Sequence, residues 1–215
     1  MLFRDRLDAA TRLAARLSAY RGENPLVLAI PRGAVPMARR IAGELGGEVD
    51  VVLVRKIGAP HNPEFAIGAV DENGNFFVTQ DAVFAGAGND YIEQEKQKQL
   101  EIMRQRRVQY TPLRAPIDPA GRIVIVVDDG LATGSTMIAA LRALKHSRPA
   151  KLICAVPVSP PDTLKKVGLY ADEVVCVHAT PDFFAVGQFY ADFPQVSDDE
   201  VMTILREGAG ANKPA

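Results

Sequence analysis

The stretch VIVVDDGLATGST, residues 124–136, combines a strand end, two acids, a loop with two glycines and the start of a helix. Its four leading apolar residues predict a strand buried on both faces of a parallel sheet, with Asp128 and Asp129 at the tip. Ser135 and Thr136 then begin a helix. Because ligands in such α/β sheets bind beyond the carboxyl ends of the strands, the stretch predicts a ligand site at this strand end.

The loop of this stretch has the features of a phosphate site. Successive backbone N–H groups at a helix start attract anions, and the hydroxyls of Thr133, Ser135 and Thr136 add donors. Gly134 lets the backbone approach a ligand closely. No lysine follows the glycine as in a P-loop, and GxGxxG is absent, so neither a nucleoside triphosphate loop nor a dinucleotide fingerprint is indicated.

The two acids require a separate partner, because carboxylates beside a phosphate would repel it. Vicinal sugar hydroxyls suit Asp128 and Asp129, since a carboxylate accepts their hydrogen bonds, as the acid of a dinucleotide fold does for ribose. A phosphate site next to a diol site predicts a ribose 5-phosphate ligand. An ordinary strand-to-helix turn with capping residues is the alternative.

With these residues, VIVVDDGLATGST resembles the phosphoribosyl pyrophosphate (PRPP) motif of type I phosphoribosyltransferases, most closely the form found in adenine phosphoribosyltransferases. The resemblance extends from about residue 25 to 193. It implies a Rossmann-like α/β fold with a small C-terminal hood, and Asp128 and Asp129 as catalytic residues at the ribose hydroxyls. It also implies a 5-phosphate cradle of Ala132, Thr133, Gly134, Ser135 and Thr136.

The leaving pyrophosphate is assigned to a second loop. Ile30-Pro31-Arg32-Gly33-Ala34 follows the first buried strand and resembles the family's pyrophosphate loop, with a non-proline cis peptide expected at Arg32-Gly33 or one bond earlier. Arg55 and Lys56 are expected to end the second strand at the same sheet edge. With Arg32 they would stabilise the charge of departing pyrophosphate. Solvated strand-end charges and a plain Pro-Arg-Gly turn are the alternatives. Mg²⁺ is the expected cofactor, held mainly by PRPP and water and in part by the acid pair.

Two further segments complete the resemblance. Residues 57–75 match the flexible catalytic loop, in which His61 and Glu64 are either inward-turning polar groups or ordinary surface residues. Residues 181–187 resemble the base-binding segment of hypoxanthine–guanine phosphoribosyltransferases, with Phe184 stacking on the acceptor and with Ala185 and Asp192 nearby. The alternative for the aromatic residues here is the core of a small subdomain.

One position departs from the oxopurine enzymes. They carry an aspartate, their proposed proton acceptor, where this chain has Ala132. The loop thus resembles the adenine enzyme and the hood resembles the oxopurine enzyme, so the acceptor base does not follow from either. A helix at about 90–109 matches neither family and is interpreted as an insertion.

The remaining pattern predicts one domain over 1–207, with a core at about 20–178, the flexible loop at 57–75, the insertion at about 89–110 and the hood at about 179–207. The tail 208–215 reads as disordered. Unbroken apolar runs predict the strands of the sheet, the Asn73-Gly74 turn predicts a hairpin, and helical spacing or capping residues predict helices. The predicted strands are 26–30, 49–56, 66–70, 76–79, 122–129, 151–158 and 173–179, with loop at 58–63; the helices are 2–19, 36–45, 90–109, 135–146, 161–168 and 198–206.

Composition limits the classes of partner. The 215 residues carry 25 Lys and Arg against 26 Asp and Glu, and this near-neutral balance disfavours DNA binding and anionic membranes. Two cysteines exclude a disulfide framework, and no apolar run reaches the ~18 residues of a membrane span. A cytoplasmic enzyme acting on PRPP and a nucleobase-like acceptor is expected, as a homodimer by resemblance. A non-catalytic PRPP- or nucleotide-binding regulator, and an enzyme using another phosphorylated ligand, are the alternatives.

Overall fold

The structure is a computed structural model that describes residues 2–112 and 115–210, apart from the side chains at positions 64 and 208–210. Its strands and helices, numbered along the chain, come mostly from the apolar runs and helical stripes of the sequence. The strands are β1 (Leu26–Ala29), β2 (Glu48–Val51), β3 (Val54–Ala59), β4 (Asn62–Asp71), β5 (Phe76–Val78), β6 (Ile123–Val127), β7 (Lys151–Ser159) and β8 (Glu173–Ala179). The helices are α1 (Arg6–Arg16), α2 (Val35–Leu45), α3 (Asp81–Phe84), α4 (Asn89–Tyr110), α5 (Ser135–His146), α6 (Pro161–Gly168) and α7 (Asp198–Gly210).

The main sheet has the strand order β2-β1-β6-β7-β8, and every neighbouring pair is parallel. The chain runs from β1 to β2 on one side and returns to β6 on the other, so β1 and β6 meet where the strand order reverses. Ala29 lies opposite Val127 at that junction. The predicted α/β fold with a mainly parallel sheet is confirmed, and the junction is the place where such sheets bind ligands.

The main sheet is covered by helices on both faces. Ile125 and Val127 pack in a core with α1, α2 and α7, whereas Val124 and Val126 pack with α5 and α6. This alternation explains why β6 reads as an unbroken apolar run, since neither of its faces meets water.

The second sheet, β3-β4-β5, is antiparallel and corrects two predictions. The run 49–56 is not one strand, because the chain leaves the main sheet after Val51 and enters the second sheet at Val54. The stretch 58–63 is not a loop either: β3 and β4 continue through it and are joined at Pro60-His61. The hairpin predicted at Asn73-Gly74 is confirmed between β4 and β5.

Helix α4 ties the second sheet to the rest of the molecule. The predicted helix at 90–109 is confirmed, with one further residue at each end. Arg107 pairs with Asp50 of β2, at 2.9 Å between Nη1 and Oδ1, and with Glu72 beside β4. The hydroxyl of Tyr110 donates to Oδ1 of Asp198 in α7 at 2.6 Å. The sparse apolar stripe of α4 is therefore supplemented by buried polar contacts.

Both ends of the chain differ from the predicted boundaries. The first helix spans 6–16, not 2–19. Its start is capped by the side chain of Asp5, while Phe3 forms a bridge to Tyr190. The last helix extends to Gly210, three residues into the predicted tail 208–215. Residues 211–215 lie outside the described residues.

Candidate active site

Two loops meet at the junction of β1 and β6. Residues 30–34 follow β1 and residues 128–134 follow β6, and these strands are direct neighbours in the sheet. The two loops approach most visibly at Gly33, where an added Cβ atom would lie 2.0 Å from Oδ2 of Asp129. Only glycine leaves room there for the acid. The two predicted loops are thus brought together at the strand ends.

The acid pair lies in a largely buried position. The Asp129 N–H donates to Oδ1 of Asp128 at 2.9 Å. Burial, with the neighbouring Asp129 carboxylate, raises the pKa of Asp128 well above its usual value. Burial also raises the pKa of Asp129, although Arg6 opposes that effect. Ionisation of these carboxylates therefore lowers the stability of the free protein, and a cationic or hydroxyl-rich ligand would offset that loss.

Arg6 of α1 is a site residue that the sequence reasoning missed. Its Nε and Nη2 atoms both lie 3.0 Å from Oδ2 of Asp129, and the two side chains are 10% and 17% exposed. Arg6 also donates to the Pro194 carbonyl at 2.6 Å and lies 3.7 Å from the centroid of the Phe193 ring. A signal was present, because Arg6 falls four residues before Ala10 and seven before Leu13, on the apolar stripe of α1.

The loop after β1 contains the predicted cis peptide. The bond is Pro31-Arg32, the earlier of the two positions considered. The Arg32 guanidinium lies 3.7 Å from Oδ2 of Asp198. Asp198 also accepts a hydrogen bond from the hydroxyl of Tyr110. Burial, together with this hydrogen bond, raises the pKa of Tyr110 to about 12. Arg32 is thus linked through α7 to the end of α4.

The loop after β6 has the geometry expected of an anion cradle. Gly134 has φ +75° and precedes α5, and a Cβ atom there would lie 2.9 Å from Cγ2 of Thr163. Thr163 in turn donates to the Ala132 carbonyl at 2.8 Å, which fixes the loop against α6. Thr133 and Ser135 have their hydroxyls 3.1 Å apart, and both residues are exposed. Thr136 is exposed at the helix start as well, so the hydroxyls remain accessible to an anion.

Arg55 and Lys56 reach the same region by a different route from that predicted. They do not end a strand of the main sheet but lie on β3. A cavity of about 670 Å³ between the second sheet and α5 is lined by both residues together with Thr133, Ser135 and Thr136. The Arg55 guanidinium donates to the side chain of Gln99 on α4.

The hood lies directly against the acid loop. Val186 fills the space next to Gly130, where a Cβ atom would lie 2.7 Å from Cγ1 of Val186. The hydroxyl of Tyr190 donates to the Asp129 carbonyl at 2.7 Å. Phe184 is 94% exposed, which leaves its ring open to a stacking partner.

The other hood residues divide between surface and core. Ala185 and Asp192 are exposed, and the Asp192 N–H donates to the Arg4 carbonyl at 2.9 Å. Phe183 and Phe189 pack together with ring centroids 5.3 Å apart. The aromatic cluster thus serves in part as a small core, while Phe184 does not take part in it.

The predicted polar residues of the 57–75 segment lie on the second sheet, His61 at the β3–β4 turn and Glu64 on β4. His61 is exposed at the β3–β4 turn and lines a separate surface cavity with Phe65 and Phe84. Glu64 lies on β4, and its side chain is outside the described residues.

The carboxylates fit a magnesium ion only as partial ligands. No cluster of three or more His, Cys, Asp or Glu side chains with metal-binding geometry occurs in the described parts of the chain. Asp128 and Asp129 offer adjacent carboxylate oxygens, which are hard ligands of the type Mg²⁺ takes. Because Mg²⁺ keeps several waters and binds through substrate phosphates, two carboxylates are a suitable donor set.

This fold, with loops meeting at the switch point of a helix-flanked parallel sheet, is that of the type I phosphoribosyltransferases. Residues 3–194 match the sequence model of the phosphoribosyl transferase domain, and the chain belongs to that family. In the described residues no helix has the length and apolar character needed to cross a membrane.

Individual relatives match the chain over nearly its whole length. Two proteins named "Putative phosphoribosyl transferase", from two strains of Mycobacterium tuberculosis, are each 42% identical over 208 residues. The alignments cover 95% of this chain and 46% of theirs, so the chain spans about half the length of these curated relatives. The crystal structure of TT1426 from Thermus thermophilus is 44% identical with a TM-score of 0.87, covering 96% of this chain and 99% of that one.

Proposed function

We propose that the protein transfers ribose 5-phosphate from PRPP to a nitrogen nucleophile of the nucleobase type. In this reaction the bond from C1 of the ribose to pyrophosphate breaks, a bond from C1 to nitrogen forms, and pyrophosphate leaves. The observation that carries the proposal is the contact between Gly33 and the Asp129 carboxylate, with the 132–136 loop on the same strand end. Sites for phosphate, for ribose hydroxyls and for a departing anion are then adjacent.

Each part of the site has a role in this reaction. Ala132, Thr133, Gly134, Ser135 and Thr136 hold the 5-phosphate with backbone and hydroxyl donors. Asp128 and Asp129 accept hydrogen bonds from the ribose hydroxyls and stabilise the positive charge that develops at C1. That charge grows as pyrophosphate departs, so preorganised carboxylates lower the barrier more than they tighten ground-state binding.

The leaving group is assigned to cations around the first loop. Arg32 and the Gly33 backbone contact pyrophosphate, and Arg32 exchanges its contact with Asp198 for the ligand. Arg55 and Lys56 approach from β3. Asp128 and Asp129 would hold Mg²⁺ as its protein-side oxygen donors, and the bound ion would supply charge neutralisation of the pyrophosphate.

The acceptor is assigned to the hood. The exposed ring of Phe184 offers a stacking face, Ala185 leaves room beside it, and Asp192 offers a carboxylate for recognition of the base. Residues 57–75, with His61 and Glu64, would cover the site during turnover and exclude water. Because Ala132 supplies no proton acceptor, the nucleophilic nitrogen must lose its proton to another group or to water.

The test is an incubation of the chain with PRPP, Mg²⁺ and a mixed pool of purines, pyrimidines and other nitrogen heterocycles. Mass spectrometry would detect a new nucleotide, and a coupled assay would detect pyrophosphate. The double variant Asp128→Asn with Asp129→Asn should lower kcat/KM at least 10²-fold. The matched control is Asp118→Asn, because Asp118 is exposed and the hydrogen bond that its side chain accepts from the Ala120 N–H is also available to an asparagine oxygen.

Turnover also separates the proposal from a regulatory protein on the same fold. A regulator would bind PRPP with Mg²⁺, raise the melting temperature and release no pyrophosphate. Near-wild-type activity of the double aspartate variant would contradict the assigned role of the acid pair.

A further inference from the structure

The cavity between α5 and the second sheet contains a cation that the proposed reaction does not use. Arg142 lines this cavity of about 670 Å³ together with Arg55, Lys56 and the hydroxyls of the 133–136 loop. No carboxylate is among the described side chains that line it. The electrostatic character of the cavity is therefore that of an anion site.

Arg142 lies on the same face of α5 as Ser135, about two helical turns beyond the phosphate loop. Ser135, Ile138, Ala139 and Arg142 all line the cavity, and their spacing places them on one face of α5. Seven residues of helix rise by about 10 Å from Ser135 to Arg142. Arg142 lines the same cavity as Thr133, Ser135 and Thr136, so its side chain and the loop hydroxyls face a common space.

The guanidinium of Arg142 is held by aromatic rings and has no carboxylate beside it among the described residues. Its central carbon lies 3.4 Å from the centroid of the Phe77 ring and 5.6 Å from that of Tyr170. Across the described chain it has no hydrogen-bond acceptor or carboxylate partner, whereas Arg6 and Arg107 each have one or more carboxylates. Aromatic faces orient a guanidinium and leave its N–H groups available, which is an arrangement suited to planar recognition of phosphate.

We propose that Arg142 and the 133–136 loop bind a phosphate chain, with one phosphate on the loop and the next on Arg142. The proposal rests on the proposed function only through the assignment of the loop to a phosphate. A nucleoside polyphosphate and an inorganic polyphosphate share this chemistry. Because such a ligand occupies the loop that the 5-phosphate of PRPP would use, it acts as a competitive inhibitor of the proposed reaction.

The experiment titrates the full chain with inorganic phosphate, linear tripolyphosphate, ATP and PRPP in separate calorimetric runs. The wild-type chain should bind tripolyphosphate more tightly than phosphate. Arg142→Gln should weaken tripolyphosphate binding at least tenfold and change phosphate binding less than twofold, since only the longer ligand reaches Arg142. Arg142→Lys keeps the charge but not the planar fork, so it should lose affinity to an intermediate degree.

The control is Lys145→Gln, which removes one positive charge from the exposed last turn of the same helix. It should leave all four affinities unchanged, and melting curves would confirm that each variant is folded. If Arg142→Gln weakens the binding of ATP and of tripolyphosphate equally, the result would support a site that takes the phosphate chain of either source. Dependence shown by tripolyphosphate alone would support an inorganic ligand.

Each of four results would overturn the proposal. The first is tripolyphosphate binding that is unchanged in Arg142→Gln. The second is an equal loss of phosphate binding, which would make Arg142 part of a single phosphate site. The third is tripolyphosphate binding that depends on Arg32 and not on Arg142. Binding of PRPP without binding of tripolyphosphate would refute this subsite and leave the proposed function intact, whereas the reverse would refute the proposed function alone.

Discussion

Removing Arg6 from its ion pair with Asp129 should destabilise the protein by several kcal/mol. Both side chains are largely buried, and two guanidinium nitrogens share Oδ2 of Asp129 at 3.0 Å. Arg6→Met keeps much of the side-chain volume but leaves the carboxylate without its cation. Loss of one partner of a buried pair costs about 3–5 kcal/mol. The contact with Phe193 adds about 1 kcal/mol. We expect the free energy of unfolding to fall by about 4–6 kcal/mol near neutral pH.

The assay is urea denaturation of four proteins: the wild-type chain, Arg6→Met, Asp129→Asn and the double variant. Since each single variant leaves one buried group poorly paired, the double variant should be more stable than additive losses predict, by about 2–3 kcal/mol. The pair also has a predictable pH dependence. Its contribution is present where Asp129 is ionised and is lost as pH falls through the pKa of that carboxyl, so the deficit of Arg6→Met should shrink on acidification.

A loss below about 1 kcal/mol in Arg6→Met, or additive losses in the double variant, would contradict a strong coupling between Arg6 and Asp129. Either result would mean that water or a rearranged side chain solvates Asp129 as well as Arg6 does. A deficit that grows toward low pH would contradict the assigned ionisation of Asp129.

Two further predictions concern the same loops. Because ionised Asp128 is disfavoured by burial, Asp128→Asn should be more stable than wild type, with a difference that is absent below about pH 4 and grows as pH rises. Melting temperatures of both proteins from pH 4 to 8 would test this, and a difference that does not change with pH would contradict it. Gly134→Ala should destabilise the chain by about 1–3 kcal/mol more than Gly74→Ala, since both glycines have positive φ but only Gly134 has a neighbour, Cγ2 of Thr163, at 2.9 Å. Equal losses in thermal denaturation would show that crowding at the loop is unimportant.

Local patterns predicted those parts of the fold that depend on neighbouring residues in sequence. The strand β6, the acid pair at its tip and the start of α5 all follow from one stretch in which polarity, glycine content and helix-forming residues change in order. The helix α4 and the turn at Asn73-Gly74 were predicted for the same reason. These features need no knowledge of a distant partner.

The departure of the chain from the main sheet after Val51 could not be predicted in this way. Val52 and Leu53 are buried outside any strand, so the apolar run continues where the strand ends. Arg55 and Lys56 were consequently assigned to the wrong sheet, although they still face the phosphate loop across a cavity.

Long-range polar partners were also missed. The helical pattern of α1 shows that Arg6 falls on an apolar stripe, but it does not show that Asp129, 123 residues later, is its partner. The same holds for Tyr190 against the Asp129 carbonyl and for Asp198 against Arg32. Such contacts are specified by the packing of several elements at once, and no local window contains them.

Because residues 2 and 3 pair with the hood, one of the first segments to be synthesised must wait for one of the last. The Leu2 and Phe3 N–H groups both donate to the Phe189 carbonyl, and the Ala191 N–H donates to the Phe3 carbonyl. Leu2 and Phe3 leave the ribosome long before these backbone partners exist. Until then the acid pair at the end of β6 has no hood beside it. A nascent chain or a truncated product that ends before Val186 would therefore expose the loop after β6 to chaperones and proteases.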